Sequence, residues 1–157
     1  MVRTSLTIIS LFIGSWALAL PGHAQKTAKS APKLTAAIVK KLGYTDKFAK
    51  DNDAVWTLKN GVKIYSSYPY GQKIRGFVGP TPLFLAVDQQ QKIVGLALAP
   101  NEETPEYLPL MKPLLKVWNG KTLKEAQTFT PDAITGATFT SKAIIENVKA
   151  TAKAVSK

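Results

Sequence analysis

Apolar residues spaced three and four apart predict a helix near each end of the chain. The first helix would place four apolar residues on one face: Leu34, Ala37, Ile38 and Leu42. Gly43 follows this set and is a typical residue at the end of a helix. The second helix, at the C-terminus, has apolar residues at offsets of four, eight and eleven from its first: Ile144, Val148, Ala152 and Val155.

The stretch between these helices has the composition of strands. Residues 54–59 and 62–68 are rich in β-branched and aromatic residues and flank Asn60-Gly61, which predicts a hairpin with a two-residue turn. The runs 83–87 and 93–99 are apolar without alternation. Because such runs have both faces covered, we expect them at the centre of a sheet.

Polar and proline-containing segments connect these elements. Residues 46–53 are polar and are expected to be irregular, and residues 88–92 are expected to form a turn. Short helical turns, broken by Pro109 and Pro113, are expected over 107–127. The whole pattern predicts an α+β domain, with a twisted, mainly antiparallel sheet and flanking N- and C-terminal helices.

Residues 1–24 have the features of an export signal. Arg3 precedes an apolar run over 6–20, Pro21 ends that run, and Gly22-His23-Ala24 offers small residues to a signal peptidase. We expect cleavage after Ala24 and export to the periplasm or the extracellular space. An uncleaved anchor is the alternative, although the run is shorter than the roughly 20 residues that span a bilayer. Residues 25–33 are then a flexible leader, and 34–157 form one domain.

Composition excludes several kinds of chemistry. The chain has no cysteine, and its single histidine, His23, lies in the predicted signal. Thiol redox chemistry, disulfides, cysteine or histidine metal sites, iron–sulfur clusters and histidine-based triads are therefore excluded for the mature protein. An exported redox protein of this composition would need an organic cofactor.

The chain is strongly basic, with 21 Lys and Arg against 10 Asp and Glu. Without Arg3, which lies in the predicted signal, 20 basic residues remain and the balance is +10. The lysines are spread along the chain, without the aromatic interleaving of single-strand binders, so we expect no nucleic-acid partner. An acidic protein partner, anionic lipid head groups and simple solubility remain alternative explanations.

One stretch, residues 131–142, concentrates the candidate chemistry. It contains an acid, a glycine and four hydroxyl residues, and it leads into the predicted C-terminal helix. Thr140 and Ser141 are of the types that cap a helix N-terminus, where free N–H groups and the helix dipole favour phosphate. Gly136 would permit a tight turn or the close approach of a ligand. An ordinary loop-to-helix junction is the alternative interpretation.

The segment Asp132-Ala133-Ile134-Thr135-Gly136-Ala137-Thr138 resembles the covalent flavin attachment motif of the FMN-binding domain family. That family includes the periplasmic flavin subunits of the sodium-pumping NADH:quinone reductases and of the Rnf electron-transfer complexes. Its pattern is an acid, two variable positions, Ser or Thr, Gly, Ala, and then the Thr or Ser that carries FMN. The resemblance implies that Thr138 is joined to the FMN phosphate as a phosphoester by a flavin transferase.

The resemblance also implies roles for the other motif residues. Thr135, Gly136 and Ala137 would shape a turn that the transferase can grip. Asp132 would either be recognised by the transferase or order the loop through hydrogen bonds to backbone N–H groups. Lys142 would pair with the phosphate or face solvent.

Upstream segments resemble the same family. Gly76-Phe77-Val78-Gly79-Pro80 has the family's Gly-x-x-Gly-Pro form, and Glu103-Thr104-Pro105 matches its Glu-Thr-Pro loop. By resemblance, Glu103, Thr104 and Pro105 would be secondary flavin contacts, with a capped surface turn as the alternative. The family usually continues with Gly, whereas Glu106 and Tyr107 follow here. Trp118 and Phe129, the aromatic residues nearest the motif, are expected in the core.

Three functions remain open from the sequence. The first is an exported electron-transfer carrier with covalent FMN, matured by a flavin transferase and serving a redox partner protein or a membrane complex. The second is a module that binds FMN or another ligand without covalent attachment. The third is an FMN-dependent reductase, for which no acid–base group stands out. A net basic protein would favour the anionic reduced ring, which predicts a flavin potential above that of free FMN.

Overall fold

The structure is a computed structural model that describes residues 30–156. Its elements, in chain order, are helix α1 (Ala36–Lys41), strands β1 (Phe48–Asn52), β2 (Val55–Leu58), β3 (Lys63–Ser66), β4 (Leu83–Val87) and β5 (Ile93–Leu98), a 3-10 helix (Leu108–Met111), and helices α2 (Lys112–Lys116), α3 (Leu123–Ala126) and α4 (Thr138–Val155). The strands form one antiparallel sheet in the order β1-β2-β3-β4-β5. The predicted α+β fold is confirmed. The predicted signal, 1–24, and residues 25–29 of the leader lie outside the described residues.

The sheet separates two hydrophobic cores. Leu83, Leu85 and Val87 of β4 face helices α2, α3 and α4, while Phe84 and Ala86 face the opposite way, toward α1. Because successive side chains of a strand point to opposite faces, a strand buried on both sides must be apolar throughout. This explains the uninterrupted apolar runs in the sequence.

The expectation that both strands lie at the centre of the sheet is correct for β4 and wrong for β5. β4 lies between β3 and β5, but β5 is the outermost strand in the hydrogen-bonding order. Its outer edge is covered near its start, where the N–H of Ile93 donates to Lys121 O and the N–H of Gly120 donates to Ile93 O, both at 2.8 Å. A loop segment thus covers the edge that a neighbouring strand was expected to cover.

The prediction of an irregular segment at 46–53 is wrong. Residues 48–52 form β1, which pairs with β2 at the other edge of the sheet and contains a bulge between Lys50 and Asn52. Phe48 is half-buried and the other four residues are exposed. The strand is stabilised by pairing with β2 rather than by burial, so no alternating pattern marks it in the sequence.

The hairpin between β2 and β3 is confirmed, but its turn has three residues instead of two. The N–H of Leu58 donates to Val62 O at 2.8 Å, which leaves residues 59–61 in the loop. Within residues 59–61, only Gly61 has a positive φ, of 82°. A two-residue type I′ turn needs a positive φ at both central residues, so Asn60-Gly61 forms the longer loop.

The helices agree with the predicted pattern, with small differences. On α1 the buried side chains include Val39, whereas Ala37 is exposed. Pro109 and Pro113 occupy the first turns of the 3-10 helix and α2, where no N–H is required, so they begin these helices rather than break them. Among residues 30–156, no helix has the length and apolar content needed to cross a membrane.

A buried amide connects α4 to the chain ahead of β4. The Nδ2 of Asn147 donates to Thr81 O at 3.2 Å and to Ala143 O at 3.0 Å. Gly71 packs directly against this side chain, because a Cβ at Gly71 would lie 1.9 Å from Asn147 Oδ1. The glycine thereby allows α4 to approach the loop.

We therefore expect Gly71→Ala to lower the free energy of unfolding. The added methyl group would displace the Asn147 amide and leave Thr81 O without its donor, at a cost of about 1–3 kcal/mol. Urea denaturation measures the change. Gln72→Ala, at the adjacent exposed position, should change stability by no more than about 0.5 kcal/mol. Equal effects of the two substitutions would contradict the role given to Gly71.

Candidate functional site

Three chain segments meet at one end of the sheet and enclose a cavity of about 280 Å³. Phe77 comes from the loop ahead of β4, and Glu103, Thr104 and Tyr107 come from the loop after β5. Residues 136–140, which include the start of α4, form the remaining wall. In antiparallel neighbours the start of one strand lies beside the end of the next, which brings the two loops together.

The carboxylate of Glu103 connects all three segments. Glu103 is 5% exposed. Its Oε1 accepts from the N–H groups of Val78 (3.1 Å) and Gly79 (3.2 Å) and from the hydroxyl of Thr81 (3.3 Å). Its Oε2 accepts from the N–H of Phe77 at 3.2 Å and from the hydroxyl of Thr140 on α4.

The local sequence explains how a carboxylate reaches this position. The side chain of Asn101 accepts from the N–H of Glu103 at 3.0 Å and donates to Ala99 O at 2.8 Å, which fixes the turn after β5. Gly76 leaves room on the other side. A Cβ there would lie 2.6 Å from Glu103 Oε1 and 2.5 Å from the Thr81 hydroxyl. Because glycine has no Cβ, Gly76 permits the close approach of the Glu103 carboxylate.

Two opposing effects determine the pKa of Glu103. Burial raises the pKa, but hydrogen bonds from Thr140 and from the three N–H groups of residues 77–79 outweigh burial and lower it below 4.5. The carboxyl group is therefore ionised at neutral pH. Its two oxygens accept hydrogen bonds from the surrounding chain segments, so the carboxylate holds the segments of the pocket wall together.

The expectation that Thr140 and Ser141 cap α4 is wrong. The helix begins at Thr138, the N-cap is Ala137, and no side chain caps the helix. Thr140 and Ser141 lie within the first turn and are buried. Their hydroxyls point into the protein, because tertiary partners at Glu103 and in the preceding loop satisfy them better than a cap would.

Ser141 orders the loop that carries the motif. Its hydroxyl accepts from the N–H of Ile134 at 3.0 Å and donates to Ala137 O at 2.9 Å. Asp132 is exposed, and within residues 30–156 its side chain makes no hydrogen bond. The suggestion that Asp132 orders the loop is therefore not supported, which leaves its recognition by the transferase as a prediction.

Thr138 is exposed at the first residue of α4 and lines the cavity. Gly136, with a φ of 80°, provides the turn that leads into the helix. The first backbone bond of the helix is from the N–H of Ser141 to Ala137 O. Within the described residues, the N–H groups of 138–140 have no backbone partner, as is usual at a helix start. A hydroxyl and free N–H groups are thus presented together.

Exposed aromatic residues surround the cavity, and no periodic pattern in the sequence marks them as site residues. Phe77 is 71% exposed and Phe139 is 63% exposed, with ring centroids 6.3 Å apart and planes at 34°. Tyr107 is 44% exposed. Large apolar side chains are rarely left in solvent beside a concave surface without a functional reason. The sequence does mark Tyr107 in one way, because Glu106 and Tyr107 follow Glu-Thr-Pro where the resembled family usually has Gly.

The remaining candidates lie outside the cavity. Pro105, Thr135 and Lys142 are exposed and are not part of its walls. Trp118 is fully buried, which confirms the prediction that it is a core residue. Phe129 is half-buried and packs against the same core, edge-to-face on Trp118 with centroids 5.0 Å apart.

The geometry defines a ligand-binding domain, with an exposed hydroxyl at a helix start and aromatic rings beside an open cavity. Residues 76–153 match the family model of the FMN-binding domain. The chain belongs to this family through that segment, which contains every residue of the cavity wall, and it carries a flavin-binding module. The comparisons found no matching curated protein and no matching solved structure.

The lowered pKa of Glu103 predicts how acid affects the stability of the flavin-free protein. Unfolding returns the carboxyl group to its ordinary pKa near 4.5, so the unfolded state binds the proton first as pH falls. The stabilisation from ionised Glu103 is thus fully present above 4.5 and is lost as pH falls through the lowered folded pKa. Thermal denaturation between pH 6 and 3 measures it.

Glu103→Gln provides the comparison for this prediction. The variant should be less stable than the wild type at pH 6, and the difference should shrink as pH falls. Two exposed acids with lowered pKa values, Asp53 and Glu125, contribute equally to both proteins and cancel. A constant difference across this range would show that Glu103 is not ionised in the folded state.

Proposed function

We propose that this protein is an exported electron-transfer flavoprotein that carries FMN on Thr138 through a phosphoester bond. The observation that carries the proposal is the exposed Thr138 side chain, which lies at the first residue of α4 and in the wall of the cavity. The family match supports FMN as the cofactor. Relative to free FMN, the net change would be formation of the bond from Thr138 Oγ1 to phosphorus with cleavage of one P–OH bond of the phosphate. The hydroxyl proton of Thr138 and that phosphate hydroxyl would leave together as one water.

The dimensions of the cavity suit a flavin held at one end. Ligand pockets commonly enclose about 300–1,000 Å³, and this one, of about 280 Å³, lies just below that range, as expected if part of the ligand stays outside it. A planar ring would occupy the cavity while the phosphate remains at the surface beside Thr138. Surface attachment is also what a modifying transferase requires, because the acceptor hydroxyl must be accessible.

The start of α4 supplies the groups that would hold the phosphate. The N–H groups of 138–140 are free of backbone partners, and the positive end of the helix dipole favours an anion. Lys142, exposed one turn further along α4, would contribute a screened attraction at most. Phosphate binding therefore depends mainly on the backbone.

Phe77 and Phe139 would bind the flavin ring. Both side chains are mostly exposed and line the cavity, with their ring planes tilted by 34°. Aromatic rings stack in offset or tilted geometries and bury a large area when they do so. Tyr107 completes the aromatic set from the loop after β5.

An electron carrier fits the cavity walls better than an enzyme does. When bound, FMN itself accepts a hydride or single electrons, so the protein need only hold the ring. The wall has one carboxylate, Glu103, and five hydrogen bonds from the protein already occupy it. This carboxylate is therefore committed to the protein and is not placed to accept a substrate proton. An acidic redox protein or a membrane complex would suit the basic chain.

Export is supported by the signal-like composition of residues 1–24. A covalent tether suits an exported protein, because lost FMN would not be replaced there. A flavin transferase would be the maturation partner. The alternative is a module that binds FMN without a covalent bond, and ultraviolet illumination of the denatured protein separates the two, since only covalent flavin stays with the chain.

Coexpression with a flavin transferase tests Thr138 directly. Intact mass spectrometry should show that the wild type gains the mass of one FMN less one water. Thr138→Ala and Thr138→Val should gain nothing, because they lack the hydroxyl, while Thr138→Ser should retain at least partial labelling. Stability should change by no more than about 0.5 kcal/mol in all three, since the side chain is exposed.

Thr128→Ala is the matched control, because Thr128 is an exposed hydroxyl residue near the motif but outside both the motif and the cavity wall. It removes a hydroxyl other than the acceptor, so labelling should persist. Labelling of Thr138→Ala at the level of the wild type would disprove the acceptor assignment.

Protein from the native host should also begin at Gln25, and an N-terminus at Met1 would disprove cleavage.

A second prediction concerns the ring-binding residues. Phe77→Ala and Phe139→Ala should still be labelled on Thr138, but their flavin should be more fluorescent and more accessible to iodide, because a stacking face is lost. Val117→Ala, at an exposed apolar position outside the cavity, is the control. If both phenylalanine variants match this control, the ring does not bind where we propose.

A further inference from the structure

The buried carboxylate of Glu103 accepts its hydrogen bonds from groups that carry no formal charge. Among the described residues no Lys or Arg forms a salt bridge with it, and its hydrogen-bond donors are three backbone N–H groups and two hydroxyls. Such donors stabilise a carboxylate but leave its charge in place. A full negative charge therefore faces the cavity from its wall.

The buried position of the Glu103 carboxylate determines how strongly its charge acts on a ligand in the cavity. Most Lys and Arg side chains among residues 30–156 are exposed, and salt screens exposed charges over about 8 Å at physiological ionic strength. Glu103 is 5% exposed and lies in the cavity wall itself. A charge in a partly water-excluded site acts more strongly on a neighbour than an exposed one does. The local anion thus opposes the effect expected from the net charge of +11.

We propose that Glu103 is a positioning residue that also lowers the midpoint potential of the flavin. The proposal rests on the proposed function, since it requires FMN in this cavity. Reduction adds negative charge to the ring, and a fixed carboxylate beside the ring makes that addition less favourable. The same carboxylate holds the Phe77 loop against the first turn of α4, which fixes the cavity.

The surroundings of Glu103 offer few other groups that could produce this effect. The loop over 77–79 and the side chains of Thr81 and Thr140 carry no group that titrates near neutral pH. Tyr107 is the other titratable residue of the cavity wall. The nearby charged residues along the chain are exposed: Arg75, Glu102, Glu106 and Lys142. Solvent screens all four more than it screens Glu103.

Redox titration of FMN-loaded variants tests the charge. Glu103→Gln should raise the midpoint potential relative to the wild type, whereas Glu103→Asp, which keeps the charge, should shift it less. Glu106→Gln removes an exposed acid from the same loop and should shift it less than Glu103→Gln does. A potential for Glu103→Gln at or below that of the wild type, or a shift matched by Glu106→Gln, would overturn the proposal.

Thr140→Val separates the charge from the positioning role. It removes one hydrogen bond to Glu103 but leaves the carboxylate. It should increase the mobility of Phe77 and Phe139, seen as greater access of iodide to the flavin, without raising the potential. A potential raised as much as in Glu103→Gln would assign the effect to loop geometry and overturn the electrostatic part.

A measurement on the wild type avoids any failure of the variants to fold. Coupling between sites is reciprocal, so reduction of the flavin must raise the pKa of Glu103 if Glu103 lowers the potential. Carboxyl ¹³C shifts of Glu103, titrated in the oxidised and the reduced protein, measure that pKa. An unchanged pKa in FMN-loaded wild type would refute this inference alone, whereas a wild type without FMN would refute the proposed function and this inference together.

Discussion

Five hydrogen bonds converge on the carboxylate of Glu103, and their donors lie in chain segments that are far apart in sequence. A buried charge is costly unless its partners are in place, so the pocket segments must come together for Glu103 to be ionised and buried at once. The N–H groups of 77–79 would otherwise be unpaired in this wall. The shape of the cavity thus depends on one side chain from the loop after β5.

The sheet provides the frame for this interaction. β4 and β5 are buried on both faces, and their adjacent ends hold the loop with Phe77 and the loop with Glu103 at the same end of the domain. α4 packs its apolar side on the sheet through residues such as Ile144 and Val148, which places its first turn against both loops. Rigid strands and a helix of 18 residues therefore carry a site whose own residues are mostly in loops, as is common in binding proteins.

The hydroxyl residues of the motif divide into two groups with different environments. Thr138 and Thr135 are exposed, whereas Thr140 and Ser141 are buried and hydrogen-bonded to Glu103 and to the preceding loop. Thr138 and Thr140 can differ in this way because they are two positions apart, which separates them by about 200° around the helix axis. One short segment thereby presents an acceptor hydroxyl outward and anchors itself inward.

The sequence by itself determined the fold class, the hairpin around Gly61, the two helices at the ends and the position of the motif, because these features depend on local periodicity and turn chemistry. It did not reveal β1, whose polar residues are held by pairing alone, or the outer position of β5. Spacing also could not show that Glu103 binds Thr140 across 37 positions, or that Phe77 and Phe139 stand together beside the cavity. These relations were decided by tertiary structure, since contacts between distant segments depend on how the strands and α4 pack and leave no periodic signal in the chain.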